Sequence, residues 1–326
     1  PVGIDRTATL HFYNQLRGKE RRLLQGLLMG AVDTRQRRFK RKLAIHPHCF
    51  WCWRESPSPE ETTTHLLHEC VGFHSLRGPL EEVLGALPPC TRTCGIFMDD
   101  ERIIALEQRL ATMAETAHPP ALPQPSDCLS HGRVVVYTDG ACKRPRLARL
   151  RRAGSGAFYG PDSASNFARP LPGERQTNQR AELWAALLVM ESDPRELEIR
   201  TDSKYVHEGI LRWPQWRQLG WSGSNGDLWA RVHICLVQNP GRVLTTKVKG
   251  HATWNDVAAG RCQLVDKVGN ACADKLAGQG ADGHDAVIEL EEAATNRLEL
   301  AKQVQTIMLG ILMDRDLGLS ELPSSP

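Results

Sequence analysis

Long apolar runs are missing from this sequence of 326 residues, and their absence limits the classes of protein it can represent. No run approaches the roughly 18 apolar residues of a membrane-spanning helix, so we expect no membrane partner. The first residues also lack the apolar stretch of a secretory signal. We therefore expect an intracellular protein that is not secreted, with nucleus or cytoplasm left open. Because the chain starts at Pro1 rather than at methionine, it reads as a fragment or a processed product.

Cysteine is too sparse for a disulfide scaffold. The chain has 10 cysteines in 326 residues, whereas small disulfide-rich proteins exceed about 8% cysteine. Without a secretory signal, these cysteines are predicted to be reduced thiols or metal ligands.

Positive charge is modest in total but unevenly distributed. The formal net charge is +3, yet residues 1–45 hold 11 Lys and Arg residues against three Asp and Glu. A second basic run covers Lys143–Arg152. Basic clusters of this kind suit the phosphate backbone of nucleic acids. A solvated basic surface with no partner is the alternative.

Changes in composition predict five segments. They are a basic helical segment at 1–45, a Cys- and His-containing helical module at 46–113, a Pro-rich linker at 114–130, a compact domain at 131–282, and a C-terminal amphipathic helix with its tail at 283–326. In the compact domain, strands come first and alternating strand and helix units follow. This order predicts an α/β fold with a mixed sheet and helices packed on it.

The C-terminal segment predicts a long amphipathic helix at about 285–314. Its apolar stripe consists of Val304, Ile307, Met308, Ile311 and Leu312. We expect this stripe to pack on the compact domain. Self-association or docking to another segment is the alternative.

One aspartate stands at an unusual position in the stretch VVVYTDGAC, Val134 to Cys142. The apolar and β-branched run is typical of a strand buried on both faces. A charge at the end of such a run costs several kcal/mol unless it is paired. Asp139 is therefore either a turn residue, since Asp-Gly is a common turn dipeptide, or a ligand or catalyst at the edge of a sheet.

Three further carboxylates have comparable positions. Glu182 lies on the apolar face of a predicted helix, Asp202 ends a predicted strand, and Asp274 lies among alanines in a later helix. Taken singly, each is explained by a cap, a turn or a solvated position. If they converge at one sheet edge, they repel one another and raise one another's pKa values. Divalent cations are the usual remedy, and oxygen ligands suit Mg²⁺.

Six motifs resemble those of the type-1 ribonuclease H family and occur in that family's order over about residues 131–280. They are YTDGAC, TNQRAELWAA, IRTDSKYV, NGDLW, KVKGH and GNACADKLAG. The resemblance implies the ribonuclease H-like fold, a mixed five-stranded sheet with flanking helices. It also implies an endonuclease that cuts the RNA strand of RNA–DNA hybrids with two Mg²⁺ ions, with Mn²⁺ as an alternative.

The catalytic residues carry over from the same motifs. Asp139, Glu182, Asp202 and Asp274 match the four acidic Mg²⁺ ligands of the family. His251, in the KGH motif, matches the family's mobile histidine, which assists proton transfer or product release.

Substrate contacts also carry over from the resemblance. Cys142, Asn178 and Gln179 match positions that meet the hybrid in its minor groove, where 2′-hydroxyls distinguish RNA from DNA. The residues that resemble a pocket for a DNA-strand phosphate are Arg175, Thr177 and Asn225. Ser203 is a further candidate contact and can also cap the helix that follows it. The tryptophans in the segment that forms the DNA-binding channel or its supporting core are Trp213, Trp216 and Trp221.

The chain departs from the family pattern in three places. The loop after Asp139 is rich in arginine, and the basic helical protrusion of some members is shortened to WRQLGWSG. From His251 to Asp274 there are 23 positions, more than in compact members, and the extra stretch carries Asp256 and Asp266. These departures bear on substrate affinity and on the position of His251.

A cysteine and histidine pattern near the N-terminus has the spacing of a tetrahedral Zn²⁺ site. It is formed by Cys49, Cys52, His65 and Cys70. His46, His48 or His68 are alternatives to His65, and unrelated buried thiols are the alternative to a metal site. The stretch resembles the CCHC element between reverse transcriptase and ribonuclease H in many non-LTR retrotransposons. This resemblance implies a retrotransposon origin and a reverse transcriptase region upstream in the full polyprotein.

Two other functions are compatible with the sequence. A catalytically decayed retroelement remnant would bind nucleic acid through its basic and zinc-binding parts without cutting it. An aspartate-based phosphatase would use YTDG as its nucleophile strand. That chemistry requires a second aspartate two residues after the first, and Ala141 stands there.

Overall fold

The structure is a computed structural model that describes residues 3–52, 57–78, 81–113, 115, 119–121, 123, 127–143, 147–218, 220, 223–284 and 288–320. The chain forms two compact units. The first consists of Pro1–Ile104 and Glu289–Pro326, and the second of Ala105–Ile288. The five-segment division stays a prediction, and several residues of the linker proposed at 114–130 lie outside the described residues.

Short helices precede the sheet. They are α1 (Arg6–His11), α2 (Gly18–Leu28), α3 (Arg35–Lys40), α4 (His74–Arg77), α5 (Glu81–Ala86), α6 (Pro89–Cys94) and α7 (Glu101–Thr112). A π-helical turn covers His65–Glu69, and 3₁₀ turns cover Tyr13–Gln15, Val71–Phe73 and Ala148–Leu150.

The strands and the remaining helices follow. The strands are β1 (Leu129–Ser130), β2 (Arg133–Lys143), β3 (Arg152–Phe158), β4 (Phe167–Pro170), β5 (Leu197–Thr201) and β6 (Val243–Lys247). The helices are α8 (Asn178–Ser192), α9 (Lys204–Leu211), α10 (Trp213–Gln218), α11 (Gly226–Gln238), α12 (Trp254–Ala258), α13 (Leu264–Asp282) and α14 (Ile288–Ser320). None of the helices in the described ranges is both long and apolar enough to span a bilayer.

The second unit is built on one mixed sheet with strand order β4-β3-β2-β5-β6. β2 pairs antiparallel with β3 and parallel with β5, while β4 is antiparallel to β3 and β6 is parallel to β5. This topology confirms the predicted mixed sheet with flanking helices. The two-residue strand β1, which pairs antiparallel with β2, adds to the five strands that were expected.

The central strand β2 is covered on both faces. Val134 and Val136 belong to the main core of the second unit, which includes the buried residues of α8. Val135 and Tyr137 lie on the other face and pack with Ala273 of α13. Burial on both faces explains why the strand reads as a continuous apolar run rather than an alternating one.

The Asp-Gly dipeptide is not a turn, so that interpretation of the sequence is wrong. Both residues lie inside β2 and pair with β3, Asp139 opposite Gly156 and Gly140 opposite Ser155. The parallel partner β5 ends opposite Thr138. Asp139 therefore lies just beyond the end of β5 but still within its own strand.

Close approach of α13 to β3 depends on a glycine. A Cβ atom at Gly156 would lie 2.5 Å from the carbonyl oxygen of Ala273 and would also overlap the backbone nitrogen of Ala277. Both obstacles are main-chain atoms of a helix, which cannot give way as a flexible side chain can. The missing side chain therefore sets the distance between this helix and the sheet.

The apolar stripe of α14 lies in the core of the first unit. Val304, Met308, Ile311 and Leu312 are buried in one hydrophobic cluster with Leu24 and other residues of the N-terminal helices. The predicted packing of this stripe on the compact domain at 131–282 is therefore wrong. The pattern identified the apolar face correctly but did not specify which apolar surface it would meet.

Polar contacts also fix α14 within the first unit. Arg315 forms a buried ion pair with Glu61, with Nη2 of Arg315 at 3.0 Å from Oε1 of Glu61. Burial raises the pKa of Glu61, and the guanidinium of Arg315 opposes that rise. Ten residues earlier in the same helix, Nε2 of Gln305 donates to the carbonyl oxygens of Thr9 and Gly95, each at 2.9 Å.

We predict that Gly156→Ala lowers the free energy of unfolding by about 2 kcal/mol or more, because the added methyl group overlaps helix backbone. Gly278→Ala in α13 is the matched control. A Cβ atom at Gly278 meets nothing within 4 Å, and alanine is favoured over glycine in helices by up to about 1 kcal/mol. Urea denaturation followed by circular dichroism measures both. Equal stability of the two variants would contradict the packing argument.

Candidate active site and metal centres

Asp139 is the most buried carboxylate of the four predicted site residues, with 6% of its surface exposed. Its Oδ1 atom accepts a hydrogen bond of 2.7 Å from the backbone N–H of Gly140. Its pKa is raised to about 8, chiefly by burial and in addition by the charges of Asp202, Asp274 and Glu182. All three other predicted carboxylates are therefore close enough to act on Asp139.

Glu182 reaches Asp139 because α8 lies directly on β2. A Cβ atom at Gly140 would overlap the backbone nitrogen of Glu182, so only glycine permits this approach. Both carboxylate oxygens of Glu182 are held, Oε1 by Nδ2 of Asn178 at 2.8 Å and Oε2 by Oγ of Ser203 at 2.6 Å. Burial raises its pKa, the hydrogen bond from Ser203 opposes the rise, and the charge of Asp202 adds to it.

Asp202 follows β5 directly, and its neighbours are fixed by secondary structure. Ser203 is the N-cap of α9, where its side chain accepts from the backbone N–H of Val206. Oδ2 of Asp202 accepts a hydrogen bond of 3.2 Å from Nδ2 of Asn270, in α13. The predicted cap at Ser203 is thus present, and α13 contributes a residue that holds Asp202.

Asp274 is exposed and is placed by the contact of α13 with β3. Its neighbour Ala273 lies against Gly156, and Gly156 is the strand partner of Asp139. The glycine that permits this helix packing therefore also brings the fourth carboxylate to the sheet edge.

His251 is exposed in the turn after β6 and has a left-handed backbone with φ of 47°. The residue before it, Gly250, lies beside the carboxylate of Asp202, since a Cβ atom there would be 2.6 Å from Oδ2. The turn thus brings the predicted histidine to the same edge as the four carboxylates.

The predicted substrate contacts surround the first turn of α8. Thr177 is its N-cap and accepts from the backbone N–H of Arg180 at 3.3 Å. Arg175, Asn178 and Gln179 are exposed beside it. Cys142 is partly buried, its Sγ lies 3.5 Å from the carbonyl oxygen of Gln176, and burial raises the pKa of its thiol.

Asn225 is buried like Ser203, with 6% exposure, and has a left-handed φ of 60°. Its Nδ2 donates to the hydroxyl of Tyr205 at 3.2 Å, and its Oδ1 accepts from Arg180 at 3.4 Å. Arg180 also forms a two-bond ion pair with Asp227 of the NGDLW motif. This motif therefore contributes a network that ties α11 to α8.

The tryptophan segment is described only in part. The ring of Trp213 packs against that of His233, with centroids 4.8 Å apart, which agrees with a role in packing. Trp221 and the side chain of Trp216 lie outside the described residues.

The aspartates of the extra stretch before Asp274 make structural contacts. Asp266 accepts hydrogen bonds from the hydroxyl of Tyr137 at 3.0 Å and from Arg200 at 2.7 Å. Asp256 forms the capping box of α12 with Thr253. The stretch therefore contacts the sheet through Asp266 and is stabilised internally by the contacts between Thr253 and Asp256.

The cysteine and histidine pattern forms a compact buried cluster in the first unit. Its members are Cys49, Cys52, His65 and Cys70, and their ligand atoms all lie within 4.8 Å of one another. Among the described residues it is the one such cluster. Sγ of Cys70 lies 3.6 Å from Sγ of both other cysteines, close to the about 3.8 Å that tetrahedral Zn–S bonds of about 2.3 Å imply.

The other histidines have different partners. Nε2 of His68 lies 2.5 Å from the carbonyl oxygen of Arg92. The rings of His46 and His48 stack on each other, and Nδ1 of His48 lies 2.9 Å from the carbonyl oxygen of Ser58. Nε2 of His65, by contrast, is buried without a hydrogen-bond partner among the described residues. The geometry favours His65 as the fourth member of the set.

Known proteins resemble the second unit over most of its length. The family model described as RNase H matches residues 131–282. Ribonuclease H from Alcanivorax borkumensis is 33% identical over 161 residues, which cover 46% of this chain and 91% of that protein. The chain belongs to the ribonuclease H family.

Two further proteins resemble this chain to different extents. Human ribonuclease H1 is 42% identical over 173 residues, which cover 50% of this chain and 55% of that protein. This chain thus spans about half the length of that relative. A solution structure of the PFV RNase H domain is 28% identical, covers 45% of this chain and 93% of that chain, and superposes with a TM-score of 0.36.

The sequence motifs identified the predicted ligands of the ribonuclease H site. They did not identify the residues that hold those ligands and contacts in place. Asn270 holds Asp202, and Arg180 joins Asp227 to Asn225. The available signal was the motif itself, because GNACAD and NQRAEL contain these polar residues at helical positions near the acidic ones. Their partners lie far away in the sequence, and spacing does not reveal such pairs.

We predict that Asp139→Asn stabilises the metal-free protein at high pH. The raised pKa means that the folded state loses stability as the pH rises from the ordinary aspartate range through about 8,. The variant lacks this loss, so its advantage grows over that window, to at most about 6 kcal/mol at about 1.4 kcal/mol per pKa unit. Urea denaturation in EDTA between pH 5 and pH 9 measures it. An advantage that does not change with pH would contradict the assigned cause.

Proposed function

We propose that this protein is an endonuclease that hydrolyses the RNA strand of RNA–DNA hybrids. The observation that carries the proposal is the gathering of four carboxylates at the end of one central strand, inside the region that matches the ribonuclease H family. Asp139 supplies the buried member, and α8, β5 and α13 supply the others. Membership of the family supports the same reaction.

The donor atoms at this edge fit divalent cations. Carboxylates that raise one another's pKa values are stabilised when cations neutralise them, and hard oxygen ligands suit Mg²⁺. The buried Oδ1 of Asn270 also lacks a hydrogen-bond donor among the described residues. We propose that Asp139, Glu182, Asp202 and Asp274 hold two Mg²⁺ ions, or Mn²⁺ in their place. When bound, the cations supply positive charge for the attacking and leaving oxygens of an in-line phosphoryl displacement.

The remaining side chains of the site orient these ligands and move protons. Ser203 and Asn178 fix the two oxygens of Glu182, and Asn270 fixes one oxygen of Asp202. His251 is exposed beside Asp202 and is proposed to transfer a proton or to assist product release at the scissile phosphate. The products of this reaction are a 5′-phosphate and a 3′-hydroxyl.

Substrate choice requires contacts to both strands of the hybrid. We propose that Asn178, Gln179 and Cys142 sense the 2′-hydroxyls that distinguish RNA from DNA. The proposed contacts to a DNA-strand phosphate are Arg175, Thr177 and Asn225. The backbone of nucleic acid would also meet the basic segments, where Arg37, Lys40 and Arg41 of the first unit are exposed,.

We predict that the protein with Mg²⁺ cuts the RNA strand of a labelled RNA–DNA hybrid and leaves duplex DNA and duplex RNA intact. Asp202→Asn removes a ligand charge and is expected to lower the cleavage rate by about 10³-fold or more, since several kcal/mol of barrier are lost. Glu191→Gln is the matched control, because it breaks the two-bond pair with Arg231 elsewhere in the same unit. Cutting that survives Asp202→Asn would refute the assignment.

A second candidate function is nucleic-acid binding without cleavage, by a decayed retroelement remnant. The basic charge of residues 1–45 favours binding,. The presence of all four carboxylates favours cleavage. The cleavage assay together with a gel-shift experiment separates the two. A remnant would bind the labelled hybrid in the gel-shift experiment and would leave it uncut in the cleavage assay.

We further propose that the cluster of the first unit holds one structural Zn²⁺. Three thiols and one imidazole are the donor set of many structural zinc sites, and all four side chains are buried. The pKa of Cys49 is lowered to about 5, chiefly by its hydrogen bond with Cys70, so one member is readily a thiolate. The metal would join the π-helical turn to the segment that carries Cys49 and Cys52.

We predict that the purified protein contains about one zinc per chain by elemental mass spectrometry. Cys52→Ser is expected to lose most of this metal and to lower the thermal stability of the first unit, because binding energy at such sites is folding energy. Cys94→Ser lies outside the cluster and is expected to keep the zinc. Wild-type protein without zinc, after preparation in zinc-containing medium, would count against the proposed ligands.

The origin and location of the protein are also proposals. The basic N-terminal segment, the zinc cluster and the ribonuclease H region follow one another in an order that resembles non-LTR retrotransposon polyproteins, with a reverse transcriptase region upstream. We also propose that the protein acts inside the cell, in the nucleus or the cytoplasm.

A further inference from the structure

The turn that carries His251 is enclosed by a buried aspartate that the proposed mechanism does not use. Asp256 belongs to the extra stretch before Asp274 and is only 6% exposed. It lies in α12, five residues after His251 in the chain. The capping box at the start of this short helix uses only one of the two carboxylate oxygens of Asp256.

The carboxylate of Asp256 makes contacts on both sides of the turn. Its Oδ2 accepts from the backbone N–H of Thr253 at 2.9 Å and from the Thr253 hydroxyl at 2.8 Å. Its Oδ1 accepts from Nζ of Lys249 at 2.5 Å and from Nε of Arg261 at 2.9 Å. One carboxylate thus joins a residue before His251 to residues after it.

A capping box alone does not explain this arrangement. Capping requires only the contacts between Thr253 and Asp256, which satisfy the first backbone donors of α12,. The other oxygen serves two cations that contribute nothing to the cap. These cations close the chain from Lys249 to Arg261 into a loop that includes the turn with His251.

The enclosed turn has little freedom at its other end. Gly250 lies against the carboxylate of Asp202, and His251 has the left-handed backbone that non-glycine residues seldom adopt,. Such a conformation persists only where the surroundings enforce it. The contacts of Asp256 with Lys249, Thr253 and Arg261 supply that enforcement.

We propose that Asp256 is a positioning residue that holds His251 beside the carboxylate edge. This inference rests on the proposed function, because His251 must take part in hybrid cleavage for its position to matter. Charge-assisted hydrogen bonds of this kind are the stronger ones. Misplacement of a catalytic group by about 1 Å can lower a rate by up to about 10²-fold.

A double-mutant cycle tests the proposal. Asp256→Asn is expected to lower kcat for hybrid cleavage about 10-fold and to leave KM within about twofold. In a His251→Ala background the same substitution is expected to change kcat less than about twofold, because its effect acts through the histidine. An undiminished loss in that background would overturn the proposal, as would full activity of His251→Ala alone.

A second readout does not depend on activity. Amide hydrogen exchange of Gly250 to Ala252, measured by NMR on the full chain, is expected to accelerate about 10-fold or more in Asp256→Asn. Unchanged exchange rates of these amides in Asp256→Asn would overturn the proposal that Asp256 holds the turn. If the wild-type protein fails to cut the hybrid, the proposed function fails, and exchange alone decides whether Asp256 holds the turn.

Two further variants guard against unfolding as the explanation. Arg261→Gln removes one of the four contacts and is expected to lower kcat by about threefold in the wild-type background. Glu191→Gln breaks a comparable ion pair with Arg231 and is expected to leave both kcat and exchange of the turn unchanged. Equal losses of kcat in Asp256→Asn, Arg261→Gln and Glu191→Gln would indicate a general loss of stability and would overturn the proposal.

Discussion

Burial of one carboxylate among three others is the constraint on which the second unit depends. Burial and, after it, the charges of the three neighbouring acidic side chains raise the pKa of Asp139 to about 8. Two glycines make that crowding possible, because Gly140 admits the backbone of α8 and Gly156 admits that of α13. Packing energy elsewhere in the core must offset this unfavourable arrangement. A site with such a cost is expected to be useful to the protein.

The two units place metal-ligand chemistry in different surroundings. The cysteine and histidine cluster is buried and closed, with all its ligand atoms within 4.8 Å. The carboxylate edge is partly exposed, because Asp274 and His251 face solvent. A closed set suits a structural ion, whereas an open set leaves room for substrate and water. The difference follows from the residue types and from the elements that carry them.

Much of the second unit could be predicted from the sequence, because its signals are local. The apolar run of β2, the cap at Thr177 and the strand-end position of Asp202 all lie within short stretches. The continuation of β2 through Asp139 was missed, since Asp-Gly favours a turn unless a partner strand pairs with it. The packing of α14 was also missed. An amphipathic stripe specifies an apolar face, and the surface it meets is determined by residues almost 300 positions away.

The packing of α14 has a consequence for the order in which the chain assembles. The first unit combines Pro1–Ile104 with Glu289–Pro326, and the second unit lies between them in the sequence. During synthesis the second unit can complete its sheet while the core of the first still lacks Val304, Met308 and Ile311. Until then, apolar residues such as Leu24 and Leu27 stay uncovered. The first unit therefore has to wait for the last helix, which makes it the slower and more aggregation-prone half of the chain.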